Sequence, residues 1–117
     1  MKNFRDLSVW QKSHQLTLGI YKATTRLPKH ELFGLTSQMR RSAASIPANI
    51  AEGCGRGSDP DFARLLQIGM GSASELEYHL LLARDLLYLP NDIHGPLESG
   101  TVEVKRMLAG LMKRLRS

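Results

Sequence analysis

Glu75 and His79 stand four residues apart, with Glu77 between them and Glu52 upstream, and they are the nearest approach to a metal-ligand set in the chain. In a helix, residues four apart share a face, so this carboxylate and imidazole would meet. A di-iron bundle needs two Glu-x-x-His pairs and two further carboxylates projecting inward. One pair is present, at the wrong spacing, and the first and last segments supply no matching ligands. No metal or other cofactor is expected, and Glu77 and His79 read as ordinary surface residues.

Nucleophile chemistry is no better supplied. Cys54 lies in the run Gly53-Cys54-Gly55-Arg56-Gly57 without an evident His-plus-carboxylate partner. The serines fall in helical or capping contexts without an elbow motif. The glycine run lacks the spacing of a dinucleotide fingerprint and the Gly-Lys-Ser/Thr ending of a Walker loop. It reads as a helix end and turn, and no catalytic residue is assigned.

A different constellation involves small residues. Ala43, Ala44, Ala48 and Ala51 are followed downstream by Gly69, Gly71, Ser72, Ala73 and Ser74. A glycine inside a helix costs about 1 kcal/mol relative to alanine. Two of them imply that another backbone approaches closely. Ser45, Asn49, Glu52 and Glu75 flank this contact and are expected to form a structural polar network, Ser45 or Asn49 donating to Glu75, because a buried unpaired carboxylate is costly. A hinge or ligand cleft at the same place stands as the alternative.

Charge is the stronger hint of a partner. Sixteen Lys and Arg against eleven Asp and Glu give +5, and the pI is about 9.7. Lys105, Arg106, Lys113 and Arg114 belong to a C-terminal basic run that also holds Arg116. Arg40, Arg41, Arg56 and Arg64 form a second group. Arginine matches phosphate geometry, so RNA or DNA backbone contact is one reading of these residues. An ordinary solvated basic face is the other. Aromatic content of 6% gives little support to base stacking.

These side chains would be positioned by four helices. Val9, Ser13, Leu16, Ile20, Ala23 and Leu27 mark the first, over about 7–26, with Asp6 or Ser8 as its cap. Leu35, Met39, Ala43, Ile46 and Ile50 mark the second, over 31–52. Pro47 removes a hydrogen bond to Ala43 and predicts a kink or short break, with Ser45 as a local cap. Gly53 then serves as a left-handed cap. Asp59 followed by Pro60 starts the third and longest helix, over 60–89, whose stripe is Phe62, Leu66, Gly69, Ala73, Leu76, Leu80, Ala83 and Leu87. The fourth starts between Asp92 and Pro96 and ends near Leu115, with Leu97, Val104, Leu108, Leu111 and Leu115 inward.

Short connections imply an all-α, antiparallel up-down-up-down four-helix bundle as a single domain over 1–117. The third helix carries more leucine than one face can bury, since consecutive residues point about 100° apart. Leu81, Leu82, Leu86 and Tyr88 are therefore expected at an interface between copies of the chain, with cyclic closure. One cysteine, no apolar leader and no span of about 18 apolar residues predict a reduced, cytoplasmic protein with no membrane association.

Four stretches carry a family resemblance. They are Asp6-Leu7-Ser8-Val9-Trp10-Gln11-Lys12, Gln38-Met39-Arg40-Arg41-Ser42-Ala43, Ser45 to Gly53, and Gly71-Ser72-Ala73-Ser74-Glu75-Leu76-Glu77. They resemble the bacterial four-helix-bundle family that includes proteins encoded by intervening sequences of 23S ribosomal RNA genes. The accessory protein of diversity-generating retroelements is a relative. The resemblance implies a homopentameric ring without enzymatic activity and, by analogy, a nucleic-acid face at Arg40, Arg41, Arg56 and Arg64. A protein-interaction adaptor that never touches nucleic acid is the alternative.

Overall fold

A computed structural model describes residues 3–117; Met1 and Lys2 lie outside it. Its helices are α1 (Ser8–Thr24), α2 (Leu35–Cys54), α3 (Asp59–Asp85) and α4 (Asn91–Arg116), with 3-10 turns at Phe4–Asp6 and Lys29–Glu31 and no strand among the described residues. α2 packs on α1 and α3, and α4 closes the bundle against α1 and α3. α1 and α3 sit on one diagonal and α2 and α4 on the other. The body measures 43 × 23 × 20 Å. No helix among the described residues is long and apolar enough to cross a membrane.

The predicted stripes are the core. Ile20, Met39, Ala43, Ile46, Ile50, Leu66, Ala73, Leu76, Leu80, Ala83, Val104 and Leu108 are wholly buried. Each fully buried large aliphatic contributes about 1.5–3 kcal/mol. In α4 the interior also takes His94, Thr101 and Met112, while Leu97, Leu111 and Leu115 are only half-buried. α4 starts at Asn91 and keeps Pro96 within it.

The helix ends differ from the predicted ones, each for a local reason. Neither Asp6 nor Ser8 caps α1, because Leu7 occupies the cap position without a side-chain bond. Asn3 instead caps the preceding 3-10 turn, its Oδ1 accepting from the Arg5 amide at 3.0 Å. α2 begins at Leu35 rather than Glu31. Glu31 belongs to the 3-10 turn, and its carboxylate accepts the Leu35 amide at 3.2 Å. That bond, with a second from Tyr88, holds the Glu31 carboxyl below the usual carboxylate range. At α3 the cap is Ser58, not Asp59. Its Oγ accepts from the Asp61 amide at 3.3 Å, which makes Pro60 the second helical residue.

α2 is continuous through Pro47, so Ser45 caps nothing. The carbonyl of Ala43, deprived of its helical partner by that proline, is reached from α1, where Thr17 Oγ1 lies 3.1 Å from it and 2.8 Å from the Ser13 carbonyl. A buried threonine on one helix thus offsets the proline on the next. Thr17→Val keeps the shape and orphans the carbonyl. It should cost about 1–2 kcal/mol, measured as a lower urea midpoint with unchanged slope.

α2 also runs through Gly53, which is helical and not a left-handed cap. The left-handed glycine is Gly57, at φ 85°. α3 ends at Asp85, short of the expected Leu89. Leu87 adopts φ 65° in a Schellman turn, with the Tyr88 amide on the Ala83 carbonyl at 2.9 Å and the Leu87 amide on that of Arg84 at 2.9 Å. This removes Leu87 from the core stripe and leaves it 90% exposed. Leu89 is buried instead.

Candidate functional site

Two regions of the surface concentrate polar and charged groups, the seam between α2 and α3 and the bundle end where α4 terminates. In the seam, Ser45 Oγ and Ser72 Oγ are 2.8 Å apart. Asn49 Nδ2 donates to the Ser45 carbonyl at 2.8 Å and lies 3.0 Å from Ser45 Oγ. The expected network therefore exists at Ser45 and Asn49, but its partner across the helix pair is Ser72. Glu75 receives no hydrogen bond from either residue, and Glu52 pairs with Arg56. The close backbone approach expected of the glycines is absent: a Cβ built at Gly69 would meet Asn49 Cβ at 3.8 Å and the Ile46 carbonyl at 3.9 Å, ordinary contact distances, and Gly71 faces open space.

Glu75 Oε2 lies 3.6 Å from His79 Nε2. His79, expected on the surface, is buried, and that burial pushes its imidazole below the ordinary histidine range against the opposite pull of Glu75. Ser42 Oγ is 3.4 Å from His79 Nδ1 and donates to the Met39 carbonyl at 3.2 Å. A serine, a histidine and a carboxylate are therefore in line. Ser42 nevertheless lies buried within a helix, where backbone amides are engaged and cannot form an oxyanion hole. Ser42, Ser72 and His79 were legible in principle, since 42-45-49 and 72-75-79 repeat one 3,4 spacing on the two facing helices. Cys54 is buried, which pushes its thiol up and away from reactivity. Among the described residues no three His, Cys, Asp or Glu side chains gather as metal ligands.

The cations fall into separate places. Arg40 is a clamp between α1 and α2, its Nε donating to Thr24 Oγ1 at 2.9 Å and its guanidinium 4.9 Å above the Tyr21 ring. Arg41 is exposed, with no ion pair among the described residues. Both are some fifteen residues from Arg56, about 22 Å along the axis at 1.5 Å per residue, so the four arginines are not one patch. Lys105 bridges to Glu77 at 2.8 Å, and Arg106 pairs with Glu103.

Arg56, Arg64, Lys113, Arg114 and Arg116 do share an end, because α2 finishes, α3 starts and α4 finishes there. Arg64 and Arg116 line one cleft with Ala63 and Leu115. Arg114 lines another with Asp6, Ser8 and Gly110. Arg56 and Arg64 carry exposed pairs to Glu52 and Asp61, which solvent screening and side-chain freedom keep weak. A phosphate can displace such partners. Lys113, Arg114 and Arg116 have no acidic partner among the described residues.

Of the predicted interface residues, Leu81 (38%) and Leu86 (45%) are exposed. Leu82 and Tyr88 rest half-buried on the core, and the Tyr88 hydroxyl donates to Glu31 Oε2 at 2.9 Å. The reading missed Ile68 (46%) and Tyr78 (57%) on the outer side of α3, and Leu18 and Tyr21 on α1. Tyr78 stands three residues before Leu81, and Leu18 three before Tyr21, spacings available in the sequence.

The fold has a close counterpart. A crystal structure of a protein of unknown function from the S23 ribosomal protein family of Bacteroides thetaiotaomicron VPI-5482 superposes with a TM-score of 0.83 at 28% identity, covering 90% of this chain and 98% of that one. No curated protein matches the sequence. The family described as 23S rRNA-intervening sequence protein matches residues 5–110. With that match spanning nearly the whole bundle, the chain belongs to the 23S rRNA-intervening sequence protein family.

Proposed function

We propose that this protein is a non-enzymatic scaffold that assembles with copies of itself and presents a basic end to RNA or DNA phosphates. The observation that carries the nucleic-acid reading is the convergence of Arg56, Arg64, Lys113, Arg114 and Arg116 at one end of the bundle. Assembly rests on the placement of exposed apolar residues. Ile68, Tyr78 and Leu81 lie on α3, and Leu18 and Tyr21 on α1. Because α1 and α3 are diagonal, these patches face away from each other. Two unlike patches on opposite sides favour head-to-tail contacts, which form rings where the rotation between copies closes and filaments where it does not. The pentamer implied by the sequence resemblance is one such ring.

Binding of mixed-sequence RNA and duplex DNA, measured across a salt series, tests the nucleic-acid reading. Affinity should fall steeply with salt, with a log–log slope of about −0.9 per phosphate neutralised on duplex. Lys113→Glu with Arg114→Glu should flatten that slope by about 2 and weaken binding by about tenfold or more. Absence of binding at low salt removes this reading.

One observation favours a protein-interaction adaptor instead. Phe33 is 94% exposed and Leu87 90% exposed. Both lie at the end opposite the cations, where the Tyr88–Glu31 bond joins their loops. Capture of one defined protein, insensitive to nuclease and lost on Phe33→Ser, would support the adaptor.

A further inference from the structure

The seam between α2 and α3 opens to solvent as a groove of about 400 Å³, lined by Gln38, Arg41, Ser42, Ser45, Ser72 and Glu75. Small-molecule sites commonly enclose about 300–1,000 Å³. This one is mostly polar. Its walls carry one cation and one anion that do not pair with each other. Arg41 has no ion pair among the described residues, and Glu75 approaches only His79, at 3.6 Å. Between them lies the Ser45–Ser72 hydroxyl pair, held at 2.8 Å and anchored from below by Asn49.

Each simpler occupant leaves a mismatch. An inorganic anion satisfies Arg41 and the hydroxyls but faces the Glu75 carboxylate. A lone cation reverses the conflict, and an apolar molecule strips water from the hydroxyls with nothing in exchange. A ligand that carries both an anionic and a cationic group offers a partner to each charged wall. We propose that this groove binds a small zwitterion of the α-amino-acid class, its carboxylate on Arg41, its ammonium on Glu75, and its polar atoms over Ser45 and Ser72. His79 reinforces the arrangement. Its burial disfavours the protonated imidazole, which weakens its hold on the Glu75 carboxylate 3.6 Å away. The proposal stands apart from the nucleic-acid reading, whose cations lie at the bundle end.

Isothermal titration calorimetry of the full chain with L-glutamine and L-alanine, beside acetate and ethylamine, tests it. At least one amino acid should bind, with acetate and ethylamine weaker by about tenfold or more. Arg41→Gln and Glu75→Gln should each weaken the amino acid by about tenfold. Both replace exposed side chains, and circular dichroism checks each fold. Lys113→Glu, at the far end, should leave affinity unchanged. No heat from either amino acid at about 10 mM would overturn the assignment. So would acetate binding as tightly as the amino acid, or undiminished affinity in both groove variants.

Discussion

Gly53→Val should lose about 3 kcal/mol of stability, at the upper end of what overpacking a core costs. Gly53 sits in the last turn of α2, and a Cβ built there would lie 2.5 Å from Cδ1 of Phe62 and 3.0 Å from its Cε1. Carbon atoms rest about 3.5–4.0 Å apart. The ring would have to retreat by about an ångström, yet Phe62 is buried and belongs to the core cluster. Alanine at this position would recover about 1 kcal/mol of helix propensity against the clash. Valine recovers less of it and adds bulk. Phe62→Ala alone should cost about 3–5 kcal/mol. The double variant should cost less than the sum by about 2 kcal/mol, because each change accommodates the other. Urea unfolding of the four proteins measures the cycle, and strict additivity would show that the contact is not what requires glycine. Gly71→Ala is the control. With no atom within 4 Å of its added carbon, it should be neutral or mildly stabilising. The corner that Gly53 and Phe62 make also sets Arg56 and Arg64 at the basic end, so the same clash should weaken the phosphate contact proposed for that end.

The contrast between Gly53 and Gly71 shows what the sequence could and could not convey. Apolar spacing at 3 and 4 residues located all four helices and nearly all of the core, since burial of a stripe is the dominant force and has a fixed period. Helix ends depend on single hydrogen bonds, which periodicity does not encode. Ser58 in place of Asp59, and Glu31 reaching forward to Leu35, are choices between neighbouring side chains of similar capping ability. Leu87 is the sharpest departure. Its place in the stripe was correct by count, but the backbone turns left-handed there, which leucine tolerates only when the surrounding turn holds it. Among site residues, type was legible and pairing was not. Ser45 and Asn49 were expected in a network, yet Ser72 in place of Glu75 follows from how α2 and α3 are rotated about their axes. Likewise Arg40 looked identical to Arg41 in a basic pair. One residue of rotation puts the first over Tyr21 and the second in solvent.

Disruption of assembly should be the largest effect of any surface change. Side-by-side packing along the 43 Å length offers far more area than contact across a 23 × 20 Å end. The apolar residues on the outer sides of α1 and α3 are therefore the natural seams. Tyr78→Asp with Leu81→Asp places two carboxylates in the α3 patch, where an unpaired charge removed from water costs several kcal/mol. Sedimentation should then report the 13.1 kDa subunit, against the larger species expected of the parent protein. Leu18→Asp with Tyr21→Asp on α1 should do the same. A parent protein that sediments as a single subunit at micromolar concentration would remove self-assembly from the proposed function. Mixing the two variants distinguishes the geometries. If each patch met its own kind, as across a two-fold axis, either variant would keep one like-to-like contact, sediment as a dimer by itself, and gain nothing on mixing. If the α1 patch of one copy meets the α3 patch of the next, a mixture retains one intact pairing, that of the unaltered α1 face on one variant with the unaltered α3 face on the other. Heterodimers should then form and stop there, because their outer faces carry only charged patches and the ring cannot close.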